Sequence, residues 1–221
     1  MTISRALAVQ LIIDLDGTVL DCRPRFHALF RDLAPQSDLD FDAYWKLKRL
    51  PRSHSWILSN REKWPDKRVA QYLDDWKSRI ETARYLAFDE PLPAAHAALS
   101  SLAQNAELIL LTSRQFEEPV FNQLDRHGLT SLFSRVLVTA AIGTKVDVLR
   151  GEGMILSSRD MIIGDTEADI DLARAFGAQA ISVLSGCRDR AFLASQRPDH
   201  VYEDIGDFAS AHFARSSSGD R

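Results

Sequence analysis

Two aspartates stand two positions apart at the end of an apolar run near the start of the chain. Residues 11–18 read Leu-Ile-Ile-Asp-Leu-Asp-Gly-Thr, which places carboxylates at Asp14 and Asp16. The apolar run before them, ended by a turn signal, predicts a buried strand. Because side chains alternate along a strand, both carboxylates should point the same way at its carboxyl end, where open α/β sheets bind ligands.

Two other interpretations of this octet stay open when it is taken alone. Aspartate and glycine are common turn residues, so the pair could simply end a strand. A calcium loop is the other alternative, but it needs further oxygen ligands and a glutamate at regular spacing between two helices. Here a predicted strand precedes the aspartates, and residues 20–24 supply no such series.

Three more polar groups occupy comparable positions further along the chain. They end two predicted strands and begin one predicted helix: Thr112 with Ser113, Gly164 with Asp165, and Lys145. The carboxyl ends of parallel strands converge on one edge of a sheet, so Asp14, Asp16 and Asp165 should lie together there. Carboxylates so close would repel one another, which implies a divalent cation, and hard oxygen ligands favour magnesium. A lysine and a hydroxyl beside the metal would hold a phosphoryl group by charge and hydrogen bonds.

The elements that carry these groups alternate between strands and helices. Apolar runs predict strands at 9–15, 107–111, 135–139, 161–163 and 179–184. Helices, two of them ended by glycine, are predicted at 93–103, 119–127, 145–150, 170–176 and 205–213. Such alternation predicts an α/β fold, in which a Rossmann-like parallel sheet carries helices on both faces.

Residues 22–87 differ in composition from the rest. They contain all four tryptophans and no glycine, and they carry 14 Lys/Arg against 9 Asp/Glu, a net charge of +5 beside −9 for the remainder. Helices are predicted at 24–33, 41–50 and 67–85, with a loop at 51–59, and the aromatic side chains are expected to form a helical core. A basic module beside an acidic one suits an anionic ligand held between them, although a solvated basic face is equally compatible with this count.

Bulk composition argues against several classes of protein. A net charge of −4 gives no support for nucleic-acid binding, and no apolar run approaches the roughly 20 residues that span a bilayer. The start of the chain has no apolar stretch long enough for a signal peptide. The only cysteines, Cys22 and Cys187, imply no disulfide framework, so a reducing, cytoplasmic setting is expected. The tail at 215–221 is expected to be disordered.

The strand-end clusters together resemble the motifs of the haloacid dehalogenase superfamily, whose members are mostly phosphatases. Residues 14–18 are similar to the first motif of that family, Thr112 to the second and Lys145 to the third, while residues 164–169 are similar to the acidic fourth. The resemblance covers the predicted catalytic core, residues 1–21 and 88–214. Residues 22–87 resemble the helical cap that the phosphoglycolate phosphatase and β-phosphoglucomutase-like subgroup inserts after the first motif.

The resemblance implies a two-step phosphate-ester chemistry. Asp14 would attack phosphorus and form an aspartyl-phosphate, and Asp16 would protonate the leaving oxygen and then activate water. Magnesium would be bound by the side chains of Asp14 and Asp165 and the main-chain carbonyl of Asp16, with Asp169 beside them. The phosphoryl oxygens would be held by Thr112, Ser113 and Lys145.

A cap that closes over the site favours a small phosphorylated metabolite over a phosphoprotein. The cap residues implied to contact that substrate are Lys48, Arg49, Arg52 and His54. Hydrolysis of a phosphate monoester is therefore expected, and a phosphotransferase or mutase with the same aspartate nucleophile is the alternative. A response-regulator receiver domain also combines an acidic cluster with Thr/Ser and Lys, but it has no insertion of 66 residues after its first strand. A monomer or homodimer is expected.

Overall fold

The central sheet has six parallel strands in the computed structural model, which describes residues 9–140 and 143–216. In chain order the strands are β1 (Val9–Ile13), β2 (Leu20–Asp21), β3 (Glu90–Pro91), β4 (Ala106–Thr112), β5 (Arg135–Val138), β6 (Met161–Gly164), β7 (Gln179–Val183) and β8 (His200–Tyr202). The order in the sheet is β5-β4-β1-β6-β7-β8, and β2 pairs with β3 as a separate antiparallel ribbon. The predicted parallel sheet is thereby confirmed.

Strand β1 lies at the centre of the sheet, bonded to β4 on one side and β6 on the other. Burial on both faces explains its apolar run, because central parallel strands are covered by helices on each side. The chain passes from β1 to β4 and β5, then returns to the other side of β1 at β6. The strand order therefore reverses between β1 and β6, the kind of point at which α/β sheets bind ligands. Asp14 follows β1 and Asp165 follows β6.

Helices cover both faces of the sheet. In chain order they are α1 (Arg23–Leu33), α2 (Phe41–Arg49), α3 (His54–Trp56), α4 (Asp66–Arg79), α5 (Ala83–Leu86), α6 (Ala95–Leu102), α7 (Glu117–Arg126), α8 (Lys145–Gly151), α9 (Glu167–Phe176), α10 (Arg190–Ser195) and α11 (Ile205–Ser216). Leu11 and Ile13 belong to a core that includes Leu99 of α6, whereas Ile12 belongs to another with Leu149 of α8. The two-residue period of β1 thus contributes to both cores.

Helices α1 to α4 pack around an aromatic core. Phe30, Tyr44, Trp45 and Tyr72 are buried in it. The rings of Phe30 and Tyr44 have centroids 4.7 Å apart, a distance at which aromatic rings attract one another beyond simple burial. The helical aromatic interior expected for residues 22–87 is confirmed, while the division into a cap at 22–87 and a core at 1–21 and 88–214 stays a prediction.

Two segments of residues 22–87, called the helical module below, differ from the prediction. The expected loop at 51–59 contains α3, which continues into a π-helical turn at Ile57–Arg61. The Ser53 side chain caps α3 by accepting a hydrogen bond from the Trp56 N–H, and Ile57 is fully buried, so a cap and a core contact outweigh the loop signal. The expected helix at 67–85 is two helices, α4 and α5, separated at residues 80–82.

Two elements near the C-terminus, β8 and α10, were not predicted. Strand β8 has only three residues, His-Val-Tyr, and all of them are half-buried. It therefore offers no apolar run that would predict a strand. Helix α11 extends to Ser216, so residues 215 and 216 of the tail expected to be disordered are helical. The rest of that tail, 217–221, lies outside the described residues, and so do residues 1–8 of the expected core. Among the described helices, none is long and apolar enough to cross a membrane.

Candidate active site

The chain turns sharply just after the end of β1. Gly17 has φ = +84°, and a Cβ at this position would lie 2.7 Å from Oδ2 of Asp165. Gly186 approaches the same carboxylate from the loop after β7, and a Cβ there would lie 2.0 Å from Oδ2. Two glycines therefore leave the space that the Asp165 carboxylate occupies beside the end of β1.

Three buried carboxylates meet at this edge of the sheet. Oxygen atoms of Asp14, Asp165 and Asp169 lie within 4.8 Å of one another. Among the described residues one cation bonds to them: Lys145 Nζ donates to Oδ1 of Asp14 and to Oδ1 of Asp169, both at 2.6 Å. Asp165 accepts a hydrogen bond from the main-chain N–H of Cys187. Three carboxylates with one lysine leave an excess of negative charge.

Burial is the main cause of the pKa shifts in this cluster. It raises the pKa of Asp14 to about 7, although the charge of Lys145 opposes the rise. Burial also raises the pKa of Asp165 well above its ordinary value. Burial alone would lower the pKa of Lys145, but the charges of Asp14 and Asp169 hold it above its ordinary value. Buried carboxylates that resist ionisation become stable anions beside a divalent cation, so these residues fit such an ion.

Thr112 and Lys145 reach the same edge of the sheet from two different elements. Thr112 is the last residue of β4 and is buried. Lys145 is the first residue of α8, and the Thr144 side chain caps that helix by accepting from the Asp147 N–H. The cap defines where α8 begins and so places Lys145 at the sheet edge.

A cavity of about 300 Å³ lies between the sheet edge and the helical module. The sheet side contributes Asp14, Asp16, Thr112, Ser113, Arg114, Lys145 and Asp165, with Thr166, Ala168 and Cys187. The module side contributes Cys22, Arg25, Phe26, Trp76, Ile80 and Glu81. One wall is therefore densely charged and the other mixed, which suits a phosphate group joined to a small organic part.

Asp16 is held by two arginines. Arg114 donates from Nε to Oδ2 at 2.5 Å and from Nη2 to Oδ1 at 2.6 Å, and Arg25 donates from Nη2 to Oδ1 at 2.8 Å. Burial alone would raise the pKa of Asp16, but these two positive charges hold it far below its ordinary value. In this structure Asp16 therefore stands as an anion between the sheet and the module.

The four module residues implied to contact substrate do not line the cavity. The wall includes none of Lys48, Arg49, Arg52 and His54. His54 is buried in the aromatic core with its Nε2 2.8 Å from the Tyr44 hydroxyl, and burial lowers its pKa well below the ordinary value. Lys48 is partly buried, and burial lowers its pKa as well.

Arg49 and Arg52 have their partners outside the cavity wall. Arg49 donates from Nη2 to the Leu184 carbonyl at 2.8 Å, which joins α2 to the loop after β7. The Arg52 guanidinium lies 4.3 Å from the centre of the Trp56 ring. A role for these module residues in binding substrate stays a prediction.

Sequence reasoning missed the residues that surround Asp16. Arg114 could have been found, since it directly follows Thr112 and Ser113 at the end of a predicted strand. Arg25 gives no such signal, because an arginine in the first turn of a helix is usually solvated, yet this one is buried. Asp89 precedes β3 and is fully buried as well, although its surroundings in the sequence resemble a surface turn.

The fold and the site define a Rossmann-like α/β protein with an acidic, lysine-paired site where the strand order reverses. A family model described as HAD (haloacid dehalogenase)-hydrolase-like matches residues 137–208. The phosphoglycolate phosphatase of Synechococcus elongatus is 26% identical over 208 residues, covering 91% of this chain and 95% of that protein. That of Aliivibrio fischeri is 23% identical over 219 residues, covering 89% and 93%. A solved HAD-like family protein from Streptococcus pneumoniae superposes with a TM-score of 0.75 at 18% identity, covering 93% of this chain and 98% of that one. By its family-model match, its curated relatives and its fold, this chain is similar to haloacid dehalogenase-like hydrolases.

Proposed function

We propose that this protein hydrolyses a small phosphate monoester through an aspartyl-phosphate, with magnesium as its metal. The observation that carries the proposal is the position of Asp14, whose carboxylate follows the central strand, pairs with Lys145 and lies on the cavity wall. The two curated relatives are both named phosphoglycolate phosphatases and match 91% and 89% of the chain, which supports a phosphatase.

Asp14 supplies the nucleophile. Its carboxylate attacks phosphorus, a new P–O bond forms and the ester P–O bond breaks, so that Asp14 carries the phosphoryl group. Lys145, Thr112 and Ser113 lie on the same wall, where one positive charge and two hydroxyls can stabilise the phosphoryl oxygens in the transition state. Because the charge of Lys145 opposes the rise in the pKa of Asp14, it keeps more of this carboxyl in the attacking form.

Asp16 handles the protons. It lies on the cavity wall two residues beyond Asp14. Once it has turned away from the two arginines and taken up a proton, it can donate that proton to the leaving oxygen in the first step. In the second step it takes a proton from the water that attacks the aspartyl-phosphate, which releases phosphate and restores Asp14. Arg25 and Arg114 define where its carboxyl group rests between these steps.

The side chains of Asp14 and Asp165 and the main-chain carbonyl of Asp16 would hold magnesium. The excess negative charge of the cluster and the glycine-lined space at Asp165 support this assignment. When bound, the ion supplies positive charge that brings two anions, the nucleophile and the phosphoryl group, together. Asp169 has other partners: its Oδ1 accepts from Lys145 and its Oδ2 from the N–H and hydroxyl of Thr166, so we assign it to orienting Lys145.

The cavity supports a small substrate. A volume of about 300 Å³ is at the lower end of the range for ligand sites and leaves room for a phosphoryl group with a leaving group of a few carbons. Because the relatives are named for phosphoglycolate, that compound is the first candidate. Residues 22–87 would act as the cap over it, in a cytoplasmic setting that keeps Cys22 and Cys187 reduced.

Release of inorganic phosphate from a panel of small phosphate esters, including 2-phosphoglycolate, tests this proposal. Turnover should require magnesium, stop in excess chelator and return when magnesium is restored. Asp14→Asn should remove nearly all turnover while the circular dichroism spectrum stays that of the wild type. Since loss of a nucleophile costs several kcal/mol of barrier, activity within about tenfold of wild type would contradict the assignment.

Phosphotransfer to a second alcohol is the alternative that uses the same aspartate. It differs in its product, because a new phosphate ester would form in place of free phosphate when an alcohol acceptor is supplied. Formation of that ester as the main product would favour a transferase or mutase over a hydrolase.

A further inference from the structure

Four charged side chains from four separate segments meet beside the cavity. Asp16 follows β1, Arg25 lies in α1, Asp89 precedes β3 and Arg114 follows β4. The side chains of Asp89, Arg25 and Arg114 are 0%, 1% and 3% exposed, whereas that of Asp16 is 23% exposed. Three of the four line the cavity, and Asp89 does not. Two guanidinium groups and two carboxylates therefore balance in charge, with one carboxylate behind the cavity wall.

Asp89 shares both arginines with Asp16. Arg25 lies with Nε 3.1 Å from Oδ1 of Asp89 and with Nη2 2.8 Å from Oδ1 of Asp16. Nη2 of Arg114 lies 3.1 Å from Oδ2 of Asp89 and 2.6 Å from Oδ1 of Asp16. Gln123 donates from Nε2 to Oδ2 of Asp89 at 2.9 Å and so orients this carboxylate. Each arginine is thus divided between a carboxylate on the cavity wall and one buried behind it.

We propose that Asp89 is a positioning residue, which balances the charge of Arg25 and Arg114 so that Asp16 can turn toward the leaving oxygen. Without this carboxylate, Asp16 would be the one carboxylate paired directly with the two buried guanidinium groups, since Glu81, whose charge also acts on Arg114, bonds to the main-chain N–H groups of Gln115 and Phe116. Attraction between buried charges is strong, so Asp16 would be held against the arginines and away from substrate. The inference rests on the proposed function, in which Asp16 protonates the leaving oxygen.

Leaving groups of different quality reveal this role. Proton donation matters most when the leaving group is poor, as in phenyl phosphate, and little when it is good, as in 2,4-dinitrophenyl phosphate. Asp89→Asn removes the charge at nearly constant volume. We expect kcat/KM, which covers the steps up to departure of the leaving group, to fall at least about tenfold more for phenyl phosphate than for the dinitrophenyl ester. Equal losses on both esters, or no loss on either, would overturn the proposal.

A matched control separates positioning from general destabilisation. Asp160 is a buried aspartate at the opposite, amino end of β6, where Oδ1 accepts from the Gln10 N–H at 2.8 Å. Asp160→Asn should lower the thermal midpoint and leave the ratio of kcat/KM for the two esters at its wild-type value. A change in that ratio as large as the one caused by Asp89→Asn would show that any buried aspartate has this effect, which would overturn the assignment.

A second substitution should rescue the first. Arg25→Met combined with Asp89→Asn leaves one guanidinium and one carboxylate, so the charges balance again and the chain has less reason to misfold. The ratio of the two esters should return toward the wild-type value in this double variant. A ratio no closer to wild type than that of Asp89→Asn alone would overturn the charge-balance argument.

Thermal unfolding tests the shared arginines without catalysis. Asp16→Asn and Asp89→Asn each leave one carboxylate for the two arginines, whereas the double variant leaves none. The midpoint should therefore fall by more than the sum of the two single losses, and an additive result would overturn the inference. If the wild type releases phosphate from no ester, the proposed function itself fails; if it is active and Asp89→Asn affects both esters equally, only the present inference fails.

Discussion

Magnesium should stabilise this protein more at pH 8 than at pH 5, because the metal and a proton compete for the carboxyl group of Asp14. Burial raises the pKa of Asp14 from 3.8 to about 7 in the metal-free fold. A group whose folded-state pKa lies above its unfolded value stabilises the fold fully below the unfolded value and loses that contribution as the pH rises through the folded value. The metal-free protein should therefore lose stability between about pH 4 and pH 7 through Asp14.

The size of the effect follows from the shift in pKa. A rise from 3.8 to about 7 corresponds to on the order of 4 kcal/mol, at about 1.4 kcal/mol per pKa unit. This is the free-energy penalty for ionising Asp14 at pH 8. It already includes the favourable interaction with Lys145, whose Nζ lies 2.6 Å from Oδ1 of Asp14. A bound divalent cation should offset much of the penalty at pH 8. At pH 5 the metal-free carboxyl is protonated, so the metal must first displace that proton and stabilises the fold less.

Thermal unfolding in chelator and in saturating magnesium, measured from pH 5 to pH 8, checks this expectation. The gain in midpoint caused by magnesium should grow with pH in the wild type and in Asp160→Asn, a buried aspartate far from the site. It should depend less on pH in Asp14→Asn, where Asp165, whose pKa burial also raises, is the remaining metal carboxylate that competes with protons. An equal gain at pH 5 and pH 8 in the wild type would refute the argument that Asp14 binds the metal in competition with protons.

Three further substitutions test other parts of the site. Asp165→Asn should raise the magnesium concentration for half-maximal activity at least about tenfold, since it removes a metal carboxylate, and an unchanged requirement would place the metal elsewhere. Thr112→Val should lower kcat about 10²–10³-fold if the hydroxyl contacts the phosphoryl group in the transition state; a change below about threefold would remove Thr112 from that role. Arg52→Ala should keep kcat/KM within about twofold for both 2-phosphoglycolate and an aryl phosphate, because its guanidinium lies on Trp56 outside the cavity wall. A loss confined to the carboxylate-bearing ester would instead support the substrate contact implied by the family resemblance.

The strand-end groups could be predicted because their signal is local. Asp14, Thr112 and Asp165 each follow an apolar run, and a parallel sheet brings the ends of such runs to one edge whatever the connections between them. The position of Lys145 is similarly local, since Thr144 and Asp147 form a capping box that defines the start of α8. These residues were therefore expected beside one another before any tertiary contact was known.

The residues around Asp16 could not be predicted because burial there arises only when distant segments meet. Asp16 and Asp89 are separated by the whole helical module, and no periodicity in the sequence marks either as a partner of Arg25. The burial of His54 could not be predicted for the same reason. Its ring lies 4.0 Å from that of Trp76, which belongs to a helix further along the chain, and its expected contact with substrate stays a prediction.

Some charged side chains of the helical module form contacts with the sheet edge within the protein. Arg25 from the basic module pairs with Asp16 of the sheet edge, and Glu81 of the module accepts hydrogen bonds from the main-chain N–H of Gln115, directly after Arg114. Both contacts join the module to the residues that hold Asp16. If the module acts as the proposed cap, its departure from the sheet would remove Arg25 from Asp16 and release the segment that carries Arg114. Closure over a small substrate and correct placement of the proton donor, Asp16, would then depend on the same contacts. A ligand too large for the cavity would therefore prevent both.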